Sequence, residues 1–344
     1  MTKAETKAIA VYVGCNADAG HPMGVHVLSV NLQSGVVEKI GSRRLNHAVY
    51  LAYAPDGRYV YSCSDTGLAS FAVEGSSLSM VDEVPLPGGP CHISAMPDGR
   101  RLAWAEYMGG TCGSVEVADG RFAKVVVHRH SGSGPNLPRQ AGPHCHQAVL
   151  TPDGKGYCVV DLGLDQIVEY PSGRTFHTSP AGAGPRHLLF HPNGRLAFLV
   201  YEMGNLVSSL SWSPEAGFTL MDTQPTLFGD SVSFESKNNL AAAIRFTPDG
   251  KRIVVSNRGE NSLAVFDFDE ATGKIAFKSG TMLKGDWPRD FAFISDDIVL
   301  VAFERSGEVH TLRYDSASCM FAPLSTLGGF YRPLAVLPQK EVTS

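Results

Sequence analysis

The stretch HAVYLAYAPDGRYVYSC (residues 47–63) decides the fold, because the chain repeats it. An apolar run ends in Pro-Asp-Gly and a second apolar run follows. The phrase returns as PCHISAMPDGRRLAWAE (90–106), CHQAVLTPDGKGYCVVD (145–161), PRHLLFHPNGRLAFLVYE (185–202) and AAAIRFTPDGKRIVVSN (241–257). PRDFAFISDDIVLVAF (288–303) keeps both runs but loses the turn phrase, and YRPLAVLPQ (331–339) is a truncated seventh copy. Proline presets φ and glycine supplies φ > 0, so each copy reads as two strands joined by a tight turn. The turn positions Pro55, Pro97, Pro152, Pro192, Pro248, Ser295 and Pro338 stand 40 to 56 residues apart. Four strands per repeat of that length are the signature of a propeller blade. The sequence therefore predicts an all-β, seven-bladed β-propeller forming one domain over residues 1–344, with polar tails at about 1–7 and 339–344. An open solenoid is the rival architecture. The last copy stops after one strand, so residues 8–13 (AIAVYV) and 24–31 (GVHVLSVN) are expected to complete its blade. That pairing closes the ring and removes two exposed edges.

Composition narrows the function. Gly and Pro number 36 and 21 in 344 residues, which suits many turns. A formal charge of −5 without a basic block argues against a nucleic-acid partner. No apolar run reaches the ~18 residues of a membrane span, and the polar start lacks the apolar core of a secretory signal. The seven cysteines (Cys15, Cys63, Cys91, Cys112, Cys145, Cys158, Cys319) are odd in number and form no CxxC, which suits reduced thiols in a cytoplasmic protein.

Propeller geometry turns the repeat into a map. The first strand of each blade is innermost and runs down to the turn, and the second runs back up. Residues six before the turn position should ring the top of the axial channel: Val49, Cys91, His146, Arg186, Ala242, Arg289 and Arg332. Residues ten after it should reach the same face: Asp65, Tyr107, Leu162, Glu202, Arg258 and Arg305. Five before it, alternation offers His92, His187 and Asp290, some of which should turn into the packing. Four arginines and a glutamate around one axis are costly unless they pair or bind an anion. Arginine is the side chain suited to bidentate capture of carboxylate or phosphate.

HSGSGPNLPRQAGPHCHQAVLTPDGKGYCVVDLGLDQIVEY (130–170) resembles the hallmark segment of the lactonase family of seven-bladed propellers. That family includes bacterial propeller-type 6-phosphogluconolactonases and the fungal 3-carboxy-cis,cis-muconate lactonising enzyme. GAGPRHLLFHPNGRLAFLVYE (182–202), AIRFTPDGKRIVVSNRGENSLAVFDFD (243–269), WPRDFAF (287–293), YVGCN (12–16) and PCHIS (90–94) are similar to its other motifs. The resemblance implies an active-site set of His146, Arg186, Glu202 and Arg258, the same four that the ring map contains. Cys15 stands where the family commonly carries a hydroxyl residue, and blade six has Ser295-Asp296-Asp297 in place of its turn.

The resemblance implies hydrolysis of a sugar δ-lactone, with 6-phosphoglucono-1,5-lactone of the pentose phosphate pathway as the expected anionic substrate. No GxSxG elbow is present, so direct attack by water is expected, with either His146 or Glu202 as base. His92, Tyr107, Arg289 and Arg332 are expected to bind substrate, the two arginines taking the phosphate. A carboxymuconate cycloisomerase and a non-catalytic propeller that binds a protein are the alternatives. No cofactor is expected: Gly132, Ser133 and Gly134 precede a proline instead of opening a helix, so no nucleotide-binding context exists. No metal is expected either. His128/His130 and His144/His146 are i, i+2 pairs, but the spacings of structural zinc motifs are missing.

Overall fold

The computed structural model describes residues 7–228 and 238–340, and the tail residues 1–6 and 341–344 lie outside the described residues. Those described form 28 strands and no helix. The strands make seven four-stranded sheets, a seven-bladed propeller. Six sheets are meanders over 51–85, 90–129, 145–177, 185–225, 240–282 and 288–328. The seventh is composite. Pro333–Pro338 lies innermost, followed by Ala8–Cys15, Met23–Asn31 and Val37–Arg44. The predicted closure is present, with a third N-terminal strand, Val37–Arg44, added. That strand is mostly exposed at the rim, so its sequence carries little apolar alternation.

The inner strands are buried because each sheet packs both faces against neighbouring blades. Leu196–Tyr201 is buried at every position. The apolar clusters straddle blade pairs: Val160 and Ile167 of blade three pack with Leu188, Leu199 and Leu210 of blade four. At the closure, Val11, Val13 and Leu28 pack with Leu300 and Val309. On the other side of that blade, toward blade one, Gly14 permits close approach, since a Cβ there would lie 2.1 Å from the Ala48 carbonyl oxygen.

Each blade from two to six enters the axial mouth through an irregularity in its inner strand. In blade four Pro185 pairs with Tyr201 and His187 with Val200, leaving Arg186 outside the ladder. His146, Arg289 and Cys91 are skipped in the same way. A bulge frees one residue from the pairing and re-aims its side chain. The six-before positions thus reach the mouth by bulging.

Two positions of the sequence map need correction. In blade seven Pro333 pairs with Cys15 and Ala335 with Gly14, so Leu334 occupies the bulge and Pro338 is still in the strand. Arg332 instead precedes the strand, at φ 50°. In blade five Phe246 pairs with Ile253, whereas in blade six Phe293 pairs with Val299. The sixth turn is therefore one residue shorter. Glu304, not Arg305, takes the place that Glu202 holds in blade four.

Candidate active site

Glu202 follows the second strand of blade four and is almost wholly buried. Three guanidiniums hold it. Its Oε2 accepts from Arg186 Nε at 3.0 Å and lies 2.8 Å from Arg258 Nη2. Its Oε1 accepts from Arg139 Nη2 at 2.7 Å. Burial works to raise the Glu202 carboxyl, but Arg258 and Arg186 outweigh it and hold the group well below the usual carboxylate range. Burial and Arg258 press Arg186 down to about 9, which leaves it protonated at neutral pH. Backbone carbonyls orient both strand arginines: Arg186 Nη1 donates to Ala242 O at 2.8 Å, and Arg258 Nη2 to Ala241 O at 3.0 Å.

Gly184 shapes this corner. It sits at φ 65°, accepts the Glu202 N–H at 2.7 Å, and leaves no space for a Cβ beside Met203.

His146 joins the cluster from its bulge on Cys145–Leu150. Its ring lies 5.7 Å from Tyr107 and 5.3 Å from His187, edge to face. Its Nδ1 is buried without a hydrogen-bond partner in the protein. Burial, then the charge of Arg186, holds the imidazole neutral, well below its ordinary range. Tyr107 stacks on His144 at 4.3 Å and accepts from Arg139 at 2.8 Å.

A second group stands beside the first. Glu304 accepts from Arg289 Nη1 at 3.1 Å and from Arg332 Nε at 3.1 Å. Arg289 is near enough to depress Arg186, Arg258 and His146. Trp287 closes this side, with the Arg258 guanidinium 5.6 Å and the Arg305 guanidinium 3.3 Å from its ring.

The structure therefore brings together His146, Arg186, Glu202, Arg258, Tyr107, Arg289 and Arg332. It does not bring His92 to them. His92 packs on Tyr50 at 4.0 Å and lines a cavity of about 500 Å³ toward the other end of the channel, with Arg245 and Gln147. Alternation is the reason: the residue after each bulge turns into the lower layer, where Asp290 pairs with Arg245 at 2.7 Å. Arg305 is diverted onto Trp287 by the shortened turn.

Two contributors escaped the sequence map. Arg139 belongs to the Gly- and Pro-rich loop 131–143, outside the strand register. Gln140, fully buried, fixes that loop by donating to Leu162 O at 2.8 Å. Glu304 was hidden by the missing turn phrase. The pairing of Pro288 with Phe303 finds it, because Glu304 is the next residue.

Known proteins share this fold and sequence. The family model described as "Lactonase, 7-bladed beta-propeller" matches residues 10–336. A 6-phosphogluconolactonase of Bacillus subtilis is 30% identical over 313 residues, covering 85% of this chain and 86% of that protein. An uncharacterized protein of Lactococcus lactis subsp. cremoris is 34% identical over 263 residues, covering 72% and 75%. Among solved structures, a Pseudomonas aeruginosa periplasmic gluconolactonase superposes with a TM-score of 0.88 at 26% identity, covering 97% of this chain and 99% of that one. With its fold and its sequence matched in this way, the chain belongs to the lactonase family of seven-bladed β-propellers.

Proposed function

We propose that the chain hydrolyses a sugar δ-lactone, and that the substrate is 6-phosphoglucono-1,5-lactone, opened to 6-phosphogluconate. One observation carries this reading. Five guanidiniums (Arg139, Arg186, Arg258, Arg289, Arg332) meet two carboxylates (Glu202, Glu304) at the axial mouth, next to a neutral His146. The surplus of positive charge fits an anionic substrate and the oxyanion of acyl transfer. The names of the Bacillus and Pseudomonas relatives supply the substrate class.

In this mechanism Arg186 and Arg258 donate to the lactone carbonyl oxygen. Water attacks C1 and His146 Nδ1 takes its proton. The tetrahedral oxyanion collapses, the C1–ring-oxygen bond breaks, and the imidazolium returns a proton to the departing hydroxyl. The acid formed then ionises. His146 is the base because its Nδ1 is unengaged, whereas three guanidiniums occupy both oxygens of Glu202. Glu202 anchors the arginines.

Arg289 and Arg332 take the phosphate. Freshly generated gluconolactones, phosphorylated and not, test the proposal in an assay read above spontaneous hydrolysis. Arg332→Ala is expected to raise KM for the phosphorylated lactone by about tenfold, roughly the 1.5 kcal/mol lower bound for a hydrogen bond to a charged group. KM for the unphosphorylated lactone should stay within about twofold. Equal changes would remove the phosphate assignment, and no turnover of either lactone would remove the activity.

A further inference from the structure

A second cluster of reactive side chains lies away from the axial mouth, in the seam between blades two and three. Cys112 comes from Thr111–Ala118, Cys145 from Cys145–Leu150, and His130 follows Arg121–Arg129. All three are buried, and both cysteines are free thiols. One donor atom from each lies within 4.8 Å of the others. Cys112 Sγ is 3.8 Å from His130 Nε2, and Cys145 Sγ is 3.4 Å from His130 Nδ1. Metal–sulfur bonds of about 2.3 Å and metal–nitrogen bonds of about 2.0 Å put a sulfur and a nitrogen on one ion at a separation like that of Cys112 Sγ and Nε2, and Cys145 Sγ joins them from within the same 4.8 Å group.

The surroundings complete the picture. His130 Nδ1 lies 2.6 Å from Asp161 Oδ2. Asp161 is itself fixed, because its Oδ1 accepts the backbone N–H groups of His144 at 2.8 Å, Gly163 at 3.0 Å and Leu164 at 3.1 Å. A carboxylate behind a histidine sets the tautomer and ring orientation that a metal ligand needs, leaving Nε2 as the donor on the Cys112 side while Cys145 Sγ lies on the Nδ1 side. The Tyr170 hydroxyl lies 3.0 Å from Nε2 and 3.9 Å from Cys112 Sγ, within hydrogen-bonding reach of the cluster. His128, the other member of the i, i+2 pair, stacks on the Tyr170 ring at 4.2 Å and takes no part.

We propose that Cys112, Cys145 and His130 form a buried S₂N site for a thiophilic metal ion, Zn(II). Soft thiolates with one imidazole select such ions over Mg(II) or Ca(II). Charge favours Zn(II) over Cu(I), since two thiolates neutralise a divalent ion and a net charge buried here would be costly. On binding, the ion displaces the two protons shared by Cys112, Cys145 and His130, which leave to solvent, and forms two Zn–S bonds and one Zn–N bond. No electrons are transferred. Cys145 begins the strand that carries His146, so the ion braces that strand without touching the reacting atoms.

The test uses the full chain, purified without chelator and supplemented with Zn(II). Elemental analysis is expected to find one zinc per chain. Replacement by Cd(II) is expected to give a thiolate-to-metal charge-transfer band in the ultraviolet. Cys112→Ser and Cys145→Ser should abolish the band, and Cys91→Ser should keep it. Asp161→Asn should weaken Zn(II) binding about 10–100-fold. X-ray absorption of the zinc-loaded, unmutated protein provides a readout independent of how the variants fold, and should show two sulfurs and one nitrogen. A shell of oxygen and nitrogen alone overturns the proposal. So does a Cd(II) band that survives Cys112→Ser, a failure to bind Zn(II), or a Cys112–Cys145 disulfide in the purified chain.

Discussion

Arg186 and Glu202 show how one residue holds a site together. Arg186 and Arg258 beside Glu202 are buried, and the carboxylate is what makes their burial tolerable. Arg186→Ala removes a donor to the developing oxyanion and is expected to lower kcat by ~10²–10³. Glu202→Gln leaves three guanidiniums without their common anion. It should cost about 3–5 kcal/mol of stability and impair turnover strongly. Steady-state kinetics with a confirmed lactone, together with denaturant unfolding, check both, and unchanged turnover would count against the assignment. Histidines set the acid limit of the fold. Burial lowers His92 to about 3 and His26 to about 4, and holds His187 well below its ordinary range. The unfolded chain takes up protons at these residues below pH ~6.5, and the folded chain does not. Stability is therefore full above that pH and declines as pH falls, by up to ~1.4 kcal/mol per pH unit for each. Urea unfolding at pH 7 and pH 5 tests this, and equal stability at the two values would refute it.

At the scale of the element, the bulged inner strand is the working unit. Regular pairing would have alternated Arg186 and His187 across the sheet. The bulge sends Arg186 to the mouth and returns His187 to the layer below. Gly184 makes the entry to that strand possible. Gly184→Ala forces a Cβ into the left-handed region and against Met203. A loss of about 1–2 kcal/mol is expected, with lower kcat because Glu202 N–H is bonded to that same residue. A variant with unaltered melting and kinetics would contradict this account of the corner.

For the whole molecule, closure decides stability. Pro333–Pro338 pairs with Ala8–Cys15, joining the two ends of the chain in one sheet. A chain truncated after Arg332 loses the innermost strand of blade seven and bares the edge of Ala8–Cys15. It is expected to lose the single cooperative melting transition and to aggregate, as followed by circular dichroism and light scattering. A truncated chain that melts like the full one would show that the ring does not depend on its seam.

Blade count, the inner strands and the sharing of one blade by both termini are all legible in the amino-acid order. Those follow from turn chemistry and apolar period, which are local and recur with each copy. That order also pointed to His146, Arg186, Glu202 and Arg258, because the turns at Pro152, Pro192 and Pro248 keep their register. Only the tertiary structure decided the rest. Leu334 displaced Arg332 from the bulge, Glu304 replaced Arg305, His92 dropped to the lower layer, and Arg139 arrived from a loop. Each of these depends on a hydrogen-bond register or a loop path set by strands distant in sequence. A shift of one residue there re-aims a side chain without changing the local pattern.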